Sequence, residues 1–269
     1  MQPGAAIAQA IRKAAASGSP ALVGFLTAGF PDRESFATQV ASLASAADLV
    51  EVGVPFSDPM ADGATIKRSS RVALEQGVTL AWILAQLQSL DPRPPAPILL
   101  MSYLNPLLAF GLTRLARAAS EAGVSGCIVP DLPWEECGAL REALGREGIA
   151  LVQMVTPVTP PARLAALARA SQGFVYAVTT TGTTGGAVEV PEATLAYLDR
   201  VRAAAPVPVC AGFGIRSAAQ VARLAGHADG VIVGSALVEA IERGASCAEL
   251  LLGLRLRRSR ARAPAAPGT

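Results

Sequence analysis

The chain has 269 residues, of which 51% are hydrophobic and 16% are charged, and its formal net charge at pH 7 is +2. This length allows one large α/β domain or two ordinary domains. So low a net charge argues against a nucleic-acid-binding or membrane-binding surface over the whole protein. With His227 as the only histidine and no C-x-x-C pair among the four cysteines, the composition also argues against a zinc site.

The ends of the chain and its apolar stretches predict neither a signal peptide nor a membrane span. Met1 is followed by an Ala-rich segment that carries Arg12 and Lys13. The longest uncharged stretch, residues 94–113, is interrupted by prolines and a glycine, which is typical of a strand, a turn and a helix start. We therefore expect a reduced, cytoplasmic protein.

Short β-branched runs alternate with Ala-, Leu- and Arg-rich amphipathic stretches after a first helix of about fifteen residues. The predicted strands are Ala21–Thr27, Leu49–Val54, Pro97–Ser102, Gly126–Pro130, Leu151–Thr156, Phe174–Thr179, Pro208–Ala211 and Gly230–Val233. The predicted helices between and after them are Arg33–Ser45, Leu74–Leu90, Leu108–Ala122, Glu135–Glu147, Ala162–Ala170, Glu192–Ala204, Ala218–Leu224 and Ala236–Glu242.

Eight strands that alternate with helices in a chain near 250 residues predict a (β/α)₈ barrel, with the extra N-terminal helix closing its floor. The alternative is an open, doubly wound sheet, which more often carries a G-x-G-x-x-G turn after its first strand. The sequence has no such turn. We expect residues 1–255 to form the barrel and residues 256–269, which are basic and contain Ala and Pro, to form a disordered tail.

Strand 2 carries a carboxylate, Glu51, inside an apolar run. Because side chains alternate along a strand, Val50, Val52 and Val54 share the face toward the helices and Glu51 points into the barrel. Loss of water there raises the pKa of a carboxyl group, which suits it to general acid–base catalysis. The alternative is that Glu51 pairs with a buried cation or caps a backbone amide.

Two further acids, Asp58 and Asp62, lie in the loop that follows strand 2, next to prolines and glycines. Such Asp-Pro and Asp-Gly pairs are usually turn chemistry. In a barrel, however, this loop lies at the catalytic end of the strands, directly over Glu51. Both interpretations of the two acids stay open at this point.

Glycines follow strands 6, 7 and 8, at residues 182–186, 212–214 and 234–235. In many barrels a phosphate group binds between the last two loops and a short helix. The amides of Gly212-Phe213-Gly214 and the start of the helix after Gly234-Ser235 are suited to hold an anion without any Lys or Arg. Ordinary turn glycines are the alternative.

The loop-2 segment resembles the signature of the tryptophan synthase α subunit family. Residues 50–64 read Val-Glu-Val-Gly-Val-Pro-Phe-Ser-Asp-Pro-Met-Ala-Asp-Gly-Ala. The similarity continues through residues 103–106, 129–133, 212–215 and 233–235, and it covers residues 5–255. It implies a (β/α)₈ barrel that cleaves indole-3-glycerol phosphate to indole and glyceraldehyde 3-phosphate by a retro-aldol reaction.

The resemblance also implies a role for each matched residue. Glu51 matches the general acid/base, Asp62 the carboxylate that stabilises the indole cation, and Tyr176 a tyrosine beside Glu51. Asp62 is expected to be solvated and ionised. The substrate-binding positions implied are Phe25 and Met101 for the indole ring, Gly185, Phe213, Gly214, Gly234 and Ser235 for the phosphate, and Thr184 for contact between loop 6 and Asp62.

A partner is implied as well. Members of this family dock on a pyridoxal-phosphate-dependent β subunit in an α₂β₂ complex and pass indole to it, while the α chain itself needs no cofactor. The positions that match the partner interface are Asp58, Pro59, Asn105 and Pro133.

Two departures from the family pattern leave alternatives open. Ala64 stands where proline is usual, and loop 6 lacks the usual Gly-Val-Thr-Gly. A changed lid favours a stand-alone lyase that releases free indole. A non-catalytic activator of a β subunit is the third possibility, although such a protein has no use for an inward-facing acid.

Overall fold

Eight parallel strands close into one barrel in chain order, and β8 pairs back with β1. The computed structural model of the chain describes residues 2–179, 189–212 and 214–256. The predicted barrel is confirmed, and the open sheet is wrong. The strands are β1 (Ala21–Thr27), β2 (Leu49–Gly53), β3 (Ile98–Met101), β4 (Val124–Ile128), β5 (Ala150–Val155), β6 (Val175–Val178), β7 (Val209–Gly212) and β8 (Gly230–Val233).

Helices lie outside this barrel, apart from the first one, which lies under it. A 3₁₀ turn, Trp134–Glu136, follows β4. The α-helices of the described residues are α1 (Ala5–Ala15), α2 (Phe36–Ala46), α3 (Ala64–Glu75), α4 (Leu80–Gln88), α5 (Leu104–Phe110), α6 (Leu112–Glu121), α7 (Gly138–Arg146), α8 (Pro161–Ala170), α9 (Glu192–Ala204), α10 (Ala218–Leu224), α11 (Ser235–Glu242) and α12 (Cys247–Leu254).

Three predicted helices are each divided in the structure. The stretch predicted as one helix over Leu74–Leu90 spans the end of α3 and all of α4, because Gly77 takes a left-handed φ of 75° and Thr79 then caps α4. Leu108–Ala122 is divided in the same way at Gly111, whose φ is 88°. Glu135–Glu147 begins as a 3₁₀ turn before α7. The pattern also missed residues 64–73 of α3 and all of α12.

The first helix closes the floor of the barrel, as predicted. Ile7 and Ile11 of α1 are fully buried and pack with inward residues of the strands, such as Leu49 and Leu99. A second apolar cluster lies between the strands and the outer helices, and it contains Val50, Val52 and Val54. The alternation along β2 is therefore the predicted one. Its valines face the helices, and its other face looks into the barrel.

The end of the described chain is fixed to the bottom of the barrel. Arg255 donates to the carbonyl oxygen of Ala46 and forms an ion pair of 3.0 Å with Asp48. Of the predicted tail, only Leu256 belongs to the described residues. In that part of the chain, no helix has the length and apolar character that a membrane crossing needs.

Candidate active site

One cavity lies at the carboxyl ends of the strands, where a barrel enzyme binds its substrate. It brings together residues from β1, β2, β3, β6 and the loops after β2, β7 and β8. Eight of the predicted site residues line it, namely Phe25, Glu51, Asp62, Met101, Tyr176, Gly214, Gly234 and Ser235. Three others, Thr184, Gly185 and Phe213, lie outside the described residues.

Glu51 is fully buried in the wall of this cavity. Within the described chain, neither of its carboxyl oxygens has a hydrogen-bond partner. Burial, and to a smaller extent the nearby charge of Asp62, raises the pKa of Glu51 from 4.5 to about 8. Among the described residues, Glu51 therefore pairs with neither a buried cation nor a backbone amide, and its raised pKa keeps it mostly neutral at pH 7.

Such an acid destabilises the fold, which gives a first prediction. The folded chain keeps the Glu51 proton up to about pH 8, whereas the unfolded chain loses it near pH 4.5, so stability falls as pH rises between these values. Glu51→Gln removes this penalty. We expect its free energy of unfolding to exceed the wild-type value by about 2–4 kcal/mol at pH 8 and by little at pH 4.5.

Urea unfolding of the wild type and the variant at both pH values measures this difference. The matched control is Glu121→Gln, which replaces an exposed glutamate on α6. A gain in stability for Glu51→Gln that is the same at pH 4.5 and at pH 8 would contradict a buried, protonated Glu51.

Asp62 is half-buried and interacts with Tyr103 at the same end of the barrel. Burial raises the pKa of Asp62 to about 6, and this rise is opposed by a hydrogen bond with the Tyr103 side chain and by the charge of Lys67. The expectation of a solvated Asp62 is therefore wrong, although the group is still mostly ionised at pH 7. A desolvated carboxylate interacts more strongly with a positive charge than a solvated one does.

Tyr103 also fixes the backbone of the loop that carries Asp62. Its hydroxyl accepts a hydrogen bond of 3.0 Å from the amide of Ala61, and its ring stacks on Phe56 with 5.2 Å between centroids. The amide of Asp62 itself donates to Pro59 in a turn. Turn geometry and a position in the site thus coexist at Asp62. Tyr103 belongs to the matched segment 103–106, but no sequence pattern had placed it in the site.

Two glycines make room for aromatic side chains in the cavity wall. A Cβ atom on Gly53 would lie 2.5 Å from the Phe25 ring, and one on Gly212 would lie 2.5 Å from the Tyr176 ring. Gly53 therefore accommodates Phe25, not the ligand directly. Tyr176 is buried, and the pKa of its hydroxyl lies well above its usual range because of burial and the charge of Glu51.

The predicted anion seat, of which the structure describes Gly214, Gly234 and Ser235, lines the same cavity as Glu51. Helix α11 begins at Ser235, directly after Gly234, and its first turn contains no acidic residue. Gly214 has a left-handed φ of 79°. The expectation that no basic residue lies here is wrong, because Arg216 also lines the cavity. The short Gly-rich pattern around it gave no reason to single out this arginine.

The predicted partner positions differ in exposure. Asp58, Asn105 and Pro133 are exposed, whereas Pro59 is buried. Two large apolar side chains near them are exposed as well, Met60 at 81% and Leu108 at 52%. Pro59 is therefore a support for the loop, and Met60 beside it presents the apolar surface.

The described residues contain no group of three or more His, Cys, Asp or Glu side chains that could hold a metal ion. All four cysteines are buried and free. The cavity itself presents carboxyl and hydroxyl groups, an apolar wall and the described part of the anion seat.

A (β/α)₈ barrel with a buried acid, a second carboxylate and an anion seat at its strand ends is built as an enzyme that performs acid–base chemistry on a phosphorylated substrate. The protein family described as tryptophan synthase alpha chain matches residues 11–255. The chain belongs to this family, which is that of the indole-3-glycerol phosphate lyase.

Individual relatives agree with this assignment. The chain is 44% identical over 242 residues to the tryptophan synthase alpha chain of Solidesulfovibrio magneticus, which covers 90% of this chain and 94% of the relative. It is similar to a structure of Mycobacterium tuberculosis tryptophan synthase, with a TM-score of 0.85, 38% identity and coverage of 93% and 98% of the two chains. Tryptophan synthase subunit alpha of Legionella pneumophila has a TM-score of 0.81 at 31% identity, with coverage of 93% and 96%.

Proposed function

We propose that Glu51, Asp62 and Tyr176 carry out the retro-aldol cleavage of indole-3-glycerol phosphate. The observation that carries this proposal is a fully buried carboxyl group that has no hydrogen-bond partner in the described chain and faces the cavity. Such a group is free to exchange a proton with a ligand. The reaction needs this exchange at one carbon and one hydroxyl of the substrate.

Glu51 acts first as an acid and then as a base. Because its pKa is about 8, the group holds a proton at pH 7 and gives it to carbon 3 of the indole ring. The ring becomes positively charged and accepts the electron pair of the bond to the glycerol chain as that bond breaks. The adjacent glycerol hydroxyl becomes the aldehyde and returns a proton to the Glu51 carboxylate.

Asp62 stabilises the positive charge that develops on the ring. With a pKa of about 6 it is mostly ionised at pH 7, so it accepts a hydrogen bond from the indole N–H and opposes the charge electrostatically. Tyr176 lies close enough to Glu51 for the charge of an ionised Glu51 to raise the pKa of the tyrosine hydroxyl. We propose that Tyr176 orients the Glu51 carboxyl toward the substrate.

The rest of the cavity fits the two ends of this substrate. Phe25 and Met101, together with Ile66 and Ile232, provide an apolar wall suited to the indole ring. At the other end, Gly214, Gly234 and Ser235 form the part of the phosphate seat that the structure describes.

The two carboxyl groups predict a bell-shaped pH dependence of kcat/KM. Activity rises as Asp62 ionises near pH 6 and falls as Glu51 loses its proton near pH 8. Initial rates of indole release between pH 5 and pH 9.5 test this. The phosphate group of the substrate also titrates near pH 6. The fall in kcat/KM at low pH is therefore compared with the pH dependence of kcat, which reports the groups of the enzyme–substrate complex. A kcat/KM that stays constant to pH 9.5 would contradict the role of Glu51.

For the phosphate seat, we expect Gly234→Asp to weaken binding of the phosphorylated substrate at least tenfold and to leave binding of free indole nearly unchanged. Among the described residues, a Cβ atom on Gly234 would have no neighbour closer than 3.8 Å, so the backbone accepts a side chain here, and the charge of Asp repels phosphate. Gly234→Asn is the neutral control of nearly equal size. Equal losses for indole and for substrate would indicate a folding defect.

The partner that we propose is a tryptophan synthase β subunit, in an α₂β₂ complex. A structure similar to this chain is that of a tryptophan synthase. The exposed Asp58, Asn105 and Pro133, with Met60 and Leu108, form a surface beside the mouth of the cavity that suits a docked partner. In this proposal the α chain needs no cofactor, pyridoxal phosphate belongs to the β subunit, and both act in the cytoplasm.

A stand-alone lyase is the second candidate. Ala64 is the first residue of α3, where proline would fix the backbone at the helix start, so the loop that carries Asp62 is less constrained than in the usual family pattern. If this loop closes over the substrate by itself, the enzyme does not need a partner subunit to hold the loop closed.

The deciding experiment is an indole-release assay on the purified chain, with and without a β subunit. Strong activity of the chain alone favours the stand-alone lyase, and activity only with the partner favours the synthase subunit. If no indole is released in either case, the catalytic assignment is wrong and a non-catalytic activator of a β subunit becomes the better account.

A further inference from the structure

Arg216 is the one basic side chain among the described residues that line the cavity. The two acidic lining residues are Glu51, which is protonated at pH 7, and Asp62, which is mostly ionised. A phosphate group that is close to a dianion at pH 7 thus enters a cavity that already contains the negative charge of Asp62. Backbone amides supply only partial positive charges. The full positive charge of Arg216 therefore adds a stronger attraction for the phosphate group.

The guanidinium of Arg216 is held in a fixed position by Glu239 of α11. Nη1 donates to Oε2 over 2.7 Å and Nη2 donates to Oε1 over 2.9 Å. The pKa of Glu239 is lowered to about 2, chiefly by this pair, so the pair persists over the working pH range. Two of the five guanidinium N–H groups are used in this way, and three remain as donors.

The backbone of Arg216 is fixed as well. The side-chain oxygen of Gln220 accepts hydrogen bonds from the amides of Arg216, at 2.7 Å, and Ser217, at 3.1 Å. The Gln220 amide group donates to the carbonyl oxygen of Gly214 over 3.3 Å. Arg216 therefore projects from a braced loop directly beside the phosphate seat.

Glu239 also connects Arg216 to the segment that carries Asp62. The hydroxyl of Thr65 donates to Glu239 Oε1 over 3.0 Å. Thr65 lies in the first turn of α3, three residues after Asp62. A chain of two contacts, from Arg216 to Glu239 and from Glu239 to Thr65, thus joins the phosphate end of the cavity to the catalytic carboxylate.

We propose that Arg216 binds the substrate phosphate with its remaining N–H donors, and that the contact of Glu239 with Thr65 positions the Asp62 segment from the same anchor. This inference rests on the proposed function, since it takes the phosphorylated substrate from there. Arg216 is a specificity-determining residue for the phosphate, and Thr65 is a positioning residue that acts through Asp62.

The test separates phosphate binding from turnover. Calorimetric titration with glycerol 3-phosphate needs no catalysis, and we expect Arg216→Ala and Arg216→Gln to weaken its binding about tenfold or more, with Arg216→Lys between them and the wild type. Thr65→Val should leave this affinity unchanged within twofold and lower kcat three- to tenfold. Thr65→Ser, which keeps the hydroxyl, should restore kcat.

The matched control is Arg68→Ala. Arg68 forms a two-point pair with Glu242 between the same two helices, α3 and α11, but it does not line the cavity. We expect this variant to bind glycerol 3-phosphate as the wild type does. If this variant weakens binding as much as Arg216→Ala does, the loss comes from weaker packing of the two helices, and Arg216 does not contact the phosphate.

Two results would overturn the inference. One is wild-type affinity for glycerol 3-phosphate in both Arg216→Ala and Arg216→Gln. The other is a kcat for Thr65→Val equal to that of the wild type. If instead the arginine variants lose affinity but the wild type releases no indole, the phosphate site stands and the proposed lyase function fails, so the two failures are distinguishable.

Discussion

Glu51→Gln is expected to lower kcat for indole release by at least about 10³-fold and to leave substrate binding nearly intact. Glutamine has nearly the same shape as a protonated glutamate but cannot give its proton to carbon 3 of indole or take one from the glycerol hydroxyl. Positioned acid–base groups contribute about 10²–10⁴ in rate, and here one group performs both transfers. Steady-state indole release and calorimetric substrate binding provide the two readouts.

The control for this change is Glu121→Gln, on the outer helix α6. It makes the same change of side chain at an exposed position outside the cavity, so we expect wild-type kinetics. Turnover by Glu51→Gln within tenfold of the wild-type rate would remove Glu51 from the mechanism, whatever the rest of the cavity contains.

Asp62→Asn is expected to reduce kcat by about two orders of magnitude or more, with a smaller effect on KM. Asparagine preserves the turn and can accept a hydrogen bond, but it has no charge to stabilise the cationic ring in the transition state. Because Asp62 is half-buried, this charge acts with less screening than a surface carboxylate would have. The measurement is kcat and KM for indole release at pH 7.5.

A reduction below tenfold, about 1.4 kcal/mol of barrier, would reduce Asp62 to a turn residue. Asp199→Asn is the matched control. Asp199 is exposed on the barrel exterior, where it pairs with His227, so its loss should leave the kinetics unchanged.

The barrel was predictable because local pattern and global fold agree. β1 and β8 lie where the β-branched runs predict them, and each strand is followed by a helix. Simple alternation along β2 also placed Glu51 inside the barrel, the one position on which the mechanism depends. These features follow from side-chain periodicity, which a single sequence records directly.

Helix boundaries were predicted less well because apolar periodicity continues across a break. The runs around Gly77 and Gly111 remain amphipathic, yet both glycines take left-handed conformations that end one helix before the next begins. A glycine in such a run is compatible with a continuous helix as well, so the pattern alone does not decide.

Within the site, the errors concern contacts between distant parts of the chain. Arg216 reaches Glu239 on another element, and Tyr103 reaches the loop of Asp62 from the end of β3. Asp62 also has a hydrogen bond with the side chain of that same tyrosine. No periodicity encodes such contacts, since each depends on how loops from different strands meet over the barrel.

Two glycines of the site have a packing role that the sequence did not indicate. Gly53 lies two residues after Glu51 in the sequence, and the amide of Gly212 was interpreted as part of an anion-binding site. In the structure each one accommodates an aromatic ring of the cavity wall. The glycines thus shape the site by admitting Phe25 and Tyr176, a role that only the packing reveals.

The central claim is that Glu51 stays protonated at neutral pH because it is buried. Its most direct test is an infrared difference titration of the wild type against Glu51→Gln, which isolates the signal of this carboxyl group. The account predicts a carboxylic acid band that is present at pH 7 and disappears with a midpoint near pH 8, the same midpoint as the alkaline limb of kcat/KM. A carboxylate band already present at pH 6 would contradict it.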